Sequence, residues 1–241
     1  MKMSIKTVLA AVALAVAVAG TANATLVTIG QANYNSSNYN LVWDNDSPFG
    51  SVVYLDYTNN YTTWANQVAW ASSLNSSLTY TLNAGYSVDW GTNNWRLPTT
   101  VDGPYTFGRN GTTTAGYNIT NSEFGHLYYT ELGNKGYYST SGAVQPVYGL
   151  VNKGDLTHLQ NSFYWSGTEY SAVPGAVNAW FFLADVGSQG IGVERSDVLL
   201  GLAVRSGQVL EVAPVPEPST LLLLGGGLAG LVGWRQRRRN R

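Results

Sequence analysis

The C-terminal end of this chain is composed for a membrane, and that removes it from any water-soluble core. Pro216-Glu217-Pro218-Ser219-Thr220 precedes an apolar run, Leu221 to Trp234, which leads into Arg235, Arg237, Arg238, Arg239 and Arg241. As a helix the run would rise about 21 Å, short of the roughly 30 Å hydrocarbon core of a bilayer. Gly225, Gly226, Gly227, Gly230 and Gly233 weaken it as a lasting anchor and offer a partner helix a smooth face. The arginines belong on the cytoplasmic side, which leaves Pro216-Glu217-Pro218 outside. The prolines hold that stretch extended, the form in which a processing enzyme receives a backbone.

The other end carries a complementary signal. Lys2 and Lys6 precede the apolar stretch Val8 to Ala19, and Ala22 and Ala24 put small residues at the positions that signal peptidase inspects. Residues 1–24 therefore read as a secretory signal peptide, used in Sec export, with the mature chain starting near Thr25. The C-terminal order of motif, apolar run and basic end resembles the PEP-CTERM sorting signal, over Val215 to Arg241. That resemblance implies an exosortase as processing partner, with Pro216, Glu217 and Pro218 as the residues it reads. It also implies a membrane-anchored precursor, exported across the inner membrane to the cell surface, the outer envelope or the extracellular matrix.

Between the ends lies an exported domain, residues 25–210, followed by a tail, residues 211–241, whose first few residues read as a short stalk. The domain is long enough for one real core. The whole-chain charge of −1 conceals an acidic middle. From Thr25 to Glu211 thirteen carboxylates face six cations: Arg96, Arg109, Lys135, Lys153, Arg195 and Arg205. That balance excludes a nucleic-acid footprint. The chain has no cysteine, so disulfides, zinc–thiolate sites and thiol nucleophiles are excluded as well. No repeat of fixed period appears, which argues against a solenoid or propeller.

Local patterns predict an α+β domain. Ser51 to Tyr57 and Ala179 to Leu183 are β-branched or aromatic runs, and Leu199 to Val204 reads as a buried strand. Asn40 to Trp43 and Tyr164 to Ser166 are weaker strand signals. Trp64, Val68, Ala71 and Leu74 recur at helical spacing behind Thr62 or Thr63 as N-cap. A second helix is predicted from Thr120 and Glu123 at capping-box spacing. Phe124, Leu127, Tyr128 and Leu132 would form its apolar face, and Gly133 its stop. Two helices that do not alternate with the strands point to a single mixed domain with short antiparallel strands and long loops.

Several motifs in this middle belong together: Trp64-Ala65-Asn66-Gln67-Val68-Ala69-Trp70-Ala71, Trp95-Arg96-Leu97-Pro98-Thr99, Ser122 to Asn134, Tyr164-Trp165-Ser166-Gly167-Thr168-Glu169, Ala179-Trp180-Phe181 and Ala203-Val204-Arg205. Over about Leu41 to Val209 they resemble the Lcl C-terminal domain family, a bacterial domain of unknown function named after a collagen-like adhesin. The resemblance implies a fold of the C-type-lectin-like and formylglycine-generating-enzyme-like group. It does not bring that enzyme's oxidation, which needs cysteines.

Candidate chemistry is sparse. No Gly-x-Ser-x-Gly elbow, HExxH helix or P-loop is present. His126, on the second helix, reads as a hydrogen-bonded structural histidine, and His158 as a surface residue. Asp44, Asp46, Glu123, Glu169 and Asp185 could supply a carboxylate pair for glycoside cleavage, the alternative to a binding role. Asp44-Asn45-Asp46-Ser47 resembles the start of a calcium loop, but Pro48 takes the next ligand position and the distal glutamate is missing. Asp44 and Asp46 thus remain only an irregular calcium candidate, and no other metal or cofactor is implied. Arg96 or Arg205 is expected to pin loops through Glu123 or Glu169. Trp90, Trp95, Arg96 and Glu169, with the Tyr137-Tyr138 pair, are the candidate ligand-binding surface, since flat rings with polar tips suit sugars or proteins. The functional expectation is an exported, non-catalytic adhesive or carbohydrate-binding module with exopolysaccharide as partner.

Overall fold

The computed structural model describes residues 26–212, apart from 176 and 192–196, together with 235 and 238. The segment predicted as a signal peptide, with Ala22 and Ala24, and the motif Pro216, Glu217 and Pro218 with its apolar run, lie outside the described residues. The strands are β1 (Leu26–Tyr34), β2 (Ser37–Asp44), β3 (Val52–Thr63), β4 (Thr79–Leu82), β5 (Tyr86–Asp89), β6 (Phe107–Gly108), β7 (Ala115–Tyr117), β8 (Phe163–Glu169), β9 (Ala179–Leu183), β10 (Ser188–Gly190), β11 (Val198–Ser206) and β12 (Gln208–Glu211). The helices are α1 (Trp64–Ser77) and α2 (Glu123–His126), the latter continued by a π-helical turn, Leu127–Glu131. This is the mixed α+β arrangement that the patterns predict, with long loops between elements.

Ten strands form one sheet in the order β4-β1-β2-β3-β11-β8-β9-β10-β7-β6, and β12 pairs with β5 in a second. The large sheet is two mostly antiparallel halves that meet where β11 and β8 run parallel, through Leu200 and Tyr164. At the centre of the first half, β3 is buried on both faces. Val52 and Tyr54 pack with Val42, Leu127 and Tyr128, while Val53 and Leu55 pack with Leu41, Ile29 and Leu74. A strand covered on both sides loses its polar alternation, and for that reason Ser51 to Tyr57 reads as an unbroken run. The strand continues past the predicted end to Thr63 because its far half pairs with β11.

Helix α1 starts as expected, with Thr63 Oγ1 accepting from Asn66 N–H at 3.4 Å. Its buried positions, however, are Gln67, Ala71 and Leu74, and Val68 is exposed. Gln67 is buried because its amide is fully used. It donates to the carbonyls of Asn60 and Leu199, each at 2.8 Å, and accepts from Asn59 Nδ2 at 2.8 Å. Polar satisfaction, not apolar periodicity, sets that face.

Helix α2 corrects a second expectation. The cap is Ser122, whose Oγ accepts from Gly125 N–H at 3.1 Å, not Thr120. The residue at 125 must be glycine, because an added Cβ would lie 2.1 Å from the Ile119 carbonyl oxygen. Phe124, Leu127, Tyr128 and Leu132 are all buried, and Gly133 takes the left-handed conformation that ends the segment, φ 62°. Pairing of β12 with β5 reaches Glu211, and Val212 N–H still donates to Gly85 O at 2.7 Å. Glu211 thus sits in a strand and not in a free stalk. Among the described residues no helix is long and apolar enough to cross a membrane.

Candidate functional site

The sequence motifs that are far apart in the chain meet around one buried carboxylate. Arg96 bridges to β11 through backbone bonds with Val204 at 3.0 and 2.8 Å. Its guanidinium donates in a fork to Glu123, Nη1 to Oε2 at 2.5 Å and Nη2 to Oε1 at 2.7 Å. Thr99 adds its N–H at 2.6 Å and its hydroxyl at 2.9 Å to the same Oε2. Pro98 O accepts from Gly167 N–H at 2.8 Å and from Ser166 Oγ at 3.0 Å, which ties this loop to β8. Glu123 is 1% exposed and accepts four hydrogen bonds, three at Oε2 and one at Oε1, so both of its oxygens are answered and it acts as a structural joint. The attraction to Glu123 pushes the Arg96 guanidinium still higher, against the opposing pull of burial.

One turn further along α2 lies a second charged group of different character. Asp44 ends β2, paired with Leu26 and Val52 on either side, and its side chain faces α2. Asp46 follows in the loop, His126 ends α2, and Glu131 ends the π turn. One potential ligand atom from each of the four lies within 4.8 Å of the others. His126 Nε2 stands 3.2 Å from Glu131 Oε1 and 3.6 Å from Asp44 Oδ2. The Asp44 and Glu131 side chains are fully buried, and His126 is 7% exposed. Neither carboxylate oxygen of Asp44, neither of Glu131, nor His126 Nε2 has a hydrogen-bond partner.

The π turn creates this meeting. A separation of five residues is about 1.4 turns of an α-helix, which would put His126 and Glu131 on different faces, but about one turn of a π-helix. Leu132 N–H donates to Leu127 O at 2.9 Å, the bond that defines the wider turn. Periodicity arguments assume the α spacing and so pass over Glu131, while Asp44 lies on a distant strand. His126 is corrected from a satisfied histidine to one whose Nε2 faces only acceptor atoms.

Electrostatics follow from the geometry. Burial, then the charges of Glu131 and Asp46, raise Asp44 to about 7, and the nearby Asp46 and Ser47 amides oppose this without closing hydrogen bonds. Burial and the Asp46 charge raise Glu131 to about 7 as well. Burial lowers His126 and so favours the neutral, ligand-competent imidazole, with Asp46 pulling the other way.

The candidate ligand surface is rearranged. Trp95 is 1% exposed, with Nε1 donating to Tyr80 Oη at 2.8 Å, so it packs instead of presenting a face. Trp90 is half-buried, 5.9 Å from Trp95, and carries the Arg205 guanidinium 4.6 Å over its ring. Arg205 therefore braces an aromatic loop, with Nε donating to Asn93 O at 2.9 Å, and not a carboxylate. Arg96 lines an open cleft of about 220 Å³ with Val68, Ser72, Leu97 and Gly167. Glu169 ends β8, exposed, opposite Ala179 in register. His158 is exposed as expected, and its Nδ1 lies 3.0 Å from Asp56 Oδ2.

A more open aromatic face lies elsewhere. Phe107, Tyr117, Tyr138, Tyr137 and Tyr148 form a continuous series of edge-to-face contacts, with centroids 4.7–6.0 Å apart. Phe107 and Tyr148 at its two ends are exposed, and Arg109 lies 3.9 Å over Tyr138. Beside Tyr148 opens a cleft of about 160 Å³, lined also by Lys135, Val147 and Val151. Of these rings only the Tyr137-Tyr138 pair was legible beforehand.

Comparison with known proteins locates the tail. The family described as the PEP-CTERM protein-sorting motif matches residues 214–239. No curated protein and no solved structure matches the chain. The C-terminal match coincides with the proline motif, the short apolar run and the arginine end: the chain carries a PEP-CTERM sorting motif, which implies an exported protein with an exosortase as its processing partner.

Proposed function

We propose that the exported domain is a non-catalytic adhesive module that binds carbohydrate at the cell surface or in the exopolysaccharide matrix. The observation that carries the reading is the aromatic series from Phe107 to Tyr148. Rings fixed edge-to-face by their neighbours present flat apolar faces at little entropic cost, and a sugar ring stacks on such faces. Lys135 beside the adjoining cleft adds a cation suited to an acidic sugar. The convergence of Trp95 to Thr99, Glu123, Ser166 to Gly167 and Val204 on one joint supports a single Lcl-like unit over residues 41–209. It supports equally the C-type-lectin-like comparison, in which a pinned framework carries variable loops. The alternative, a hydrolase with a carboxylate pair, requires carboxylates that line an open cleft. Asp44 and Glu131 lie in one cluster, but their side chains are sealed from solvent.

The test is retention of the processed protein on the producing organism's exopolysaccharide, with product release followed in parallel. Retention without new reducing ends, weakened severalfold by Tyr148→Ala and by Phe107→Ala, is the expected result. Turnover abolished by one Asp or Glu substitution would replace the module with the hydrolase.

A further inference from the structure

We infer that Asp44, Asp46, His126 and Glu131 hold one divalent first-row cation of the Zn2+ or Mn2+ kind. The inference is independent of the carbohydrate reading. An acidic cluster alone would not carry it; the unpartnered atoms do. Asp44 is fully buried with both carboxylate oxygens unbonded, and His126, 7% exposed, has an unbonded Nε2 turned toward them. Buried polar atoms without partners are rare, and three of them, Asp44 Oδ2, Glu131 Oε1 and the His126 Nε2 that lies 3.6 and 3.2 Å from them, call for a common partner.

The spacing fits a metal better than it fits direct hydrogen bonds. Ligand atoms at roughly 2.1 Å from a shared ion lie about 3.0–3.4 Å apart in octahedral or tetrahedral geometry. His126 Nε2 is 3.2 Å from one carboxylate oxygen and 3.6 Å from the other, without hydrogen-bond alignment to either. Three carboxylates that face a neutral imidazole also carry a charge that a dication offsets. The imidazole decides the class of ion. Ca2+ and Mg2+ favour all-oxygen shells, whereas a mixed nitrogen and carboxylate set suits Zn2+ or Mn2+. With His126 beside them, Asp44 and Asp46, only an irregular calcium candidate by sequence, suit a different ion.

The site would be structural. Four protein ligands fill a tetrahedral shell, and only Asp46 is exposed. The ion would clamp the loop after β2 onto α2 and the π turn, where Phe49 already packs 6.1 Å from the His126 ring.

The full chain, stripped with a chelator, can be titrated with ZnCl2, MnCl2 and CaCl2 by calorimetry, with the melting temperature followed alongside. One Zn2+ or Mn2+ per chain and a raised melting temperature are expected, with Ca2+ at least tenfold weaker. His126→Ala and Glu131→Gln should each weaken uptake tenfold or more. Asp44→Asn guards against misfolding: without metal it should melt no lower than the parent, yet show no shift on adding Zn2+. Absence of uptake by the parent, unchanged uptake by Asp44→Asn and His126→Ala, or a preference for Ca2+ would overturn the assignment.

Discussion

Two charged centres flank α2, and they differ in how their buried atoms are spent. At the first turn Glu123 receives Arg96 in a fork and two donors from Thr99, so its charge is fully answered by the protein. At the far end Asp44, His126 and Glu131 face one another with five unpartnered atoms. The carboxylates of Glu123 and Asp44 are equally hidden from water, so burial alone does not separate a joint from a site. Satisfaction does: a closed network holds elements together, whereas convergent orphan atoms leave room for a further partner.

The largest effect should come from breaking the satisfied centre. Glu123→Ala strands the two Thr99 donors and a guanidinium that is 36% exposed, so solvent offsets part of the loss; it should cost about 2–4 kcal/mol in denaturant unfolding. A loss below about 1 kcal/mol would mean that water replaces the pair easily.

Next in size is the pH response of the unsatisfied centre in the presence of chelator. Asp44 sits at about 7 in the fold against an ordinary 3.8, so between these values the native state keeps a proton that the unfolded chain has lost. Stability should therefore fall as pH rises from about 4 to 7, by up to about 4 kcal/mol from Asp44. A metal that competes with the proton should flatten the curve. Stability that rises through this window would contradict the geometry.

The centres should also respond with opposite signs to removal of charge. Asp44→Asn at pH 8, without metal, should stabilise the fold by about 1–3 kcal/mol, because it removes an unpaired buried anion. The smallest effect belongs to the element between the two centres. Ser122→Ala removes the α2 cap and should cost about 1 kcal/mol by thermal melting, and it should loosen both centres without abolishing either.

Much of the framework was legible in the residues. The runs from Ser51, Ala179 and Leu199 became β3, β9 and β11, since β-branched and aromatic side chains declare a buried strand locally. The residues narrow the α1 cap to Thr62 or Thr63 and the loop-pinning pair to Arg96 or Arg205 with Glu123 or Glu169, since a domain so poor in cations leaves few partners; the fold selects Thr63 and Arg96 with Glu123. Strands β6, β7 and β10 were not anticipated, being too short to show a period. Val68 and Gln67 exchanged places because a buried amide with its hydrogen bonds filled is indistinguishable, in sequence, from an exposed one.

By itself the sequence determined the sorting motif at the C-terminal end, because an apolar run, its length and its flanking charges act locally and need no fold to be read. It also determined that thiol chemistry is absent and that the domain is acidic. Only the tertiary structure decided where those acids matter. A π turn in place of an α turn brought His126 over Glu131, and sheet pairing placed Asp44 against both. Such a meeting depends on backbone wrapping and on contacts distant in the chain, and no local pattern records either.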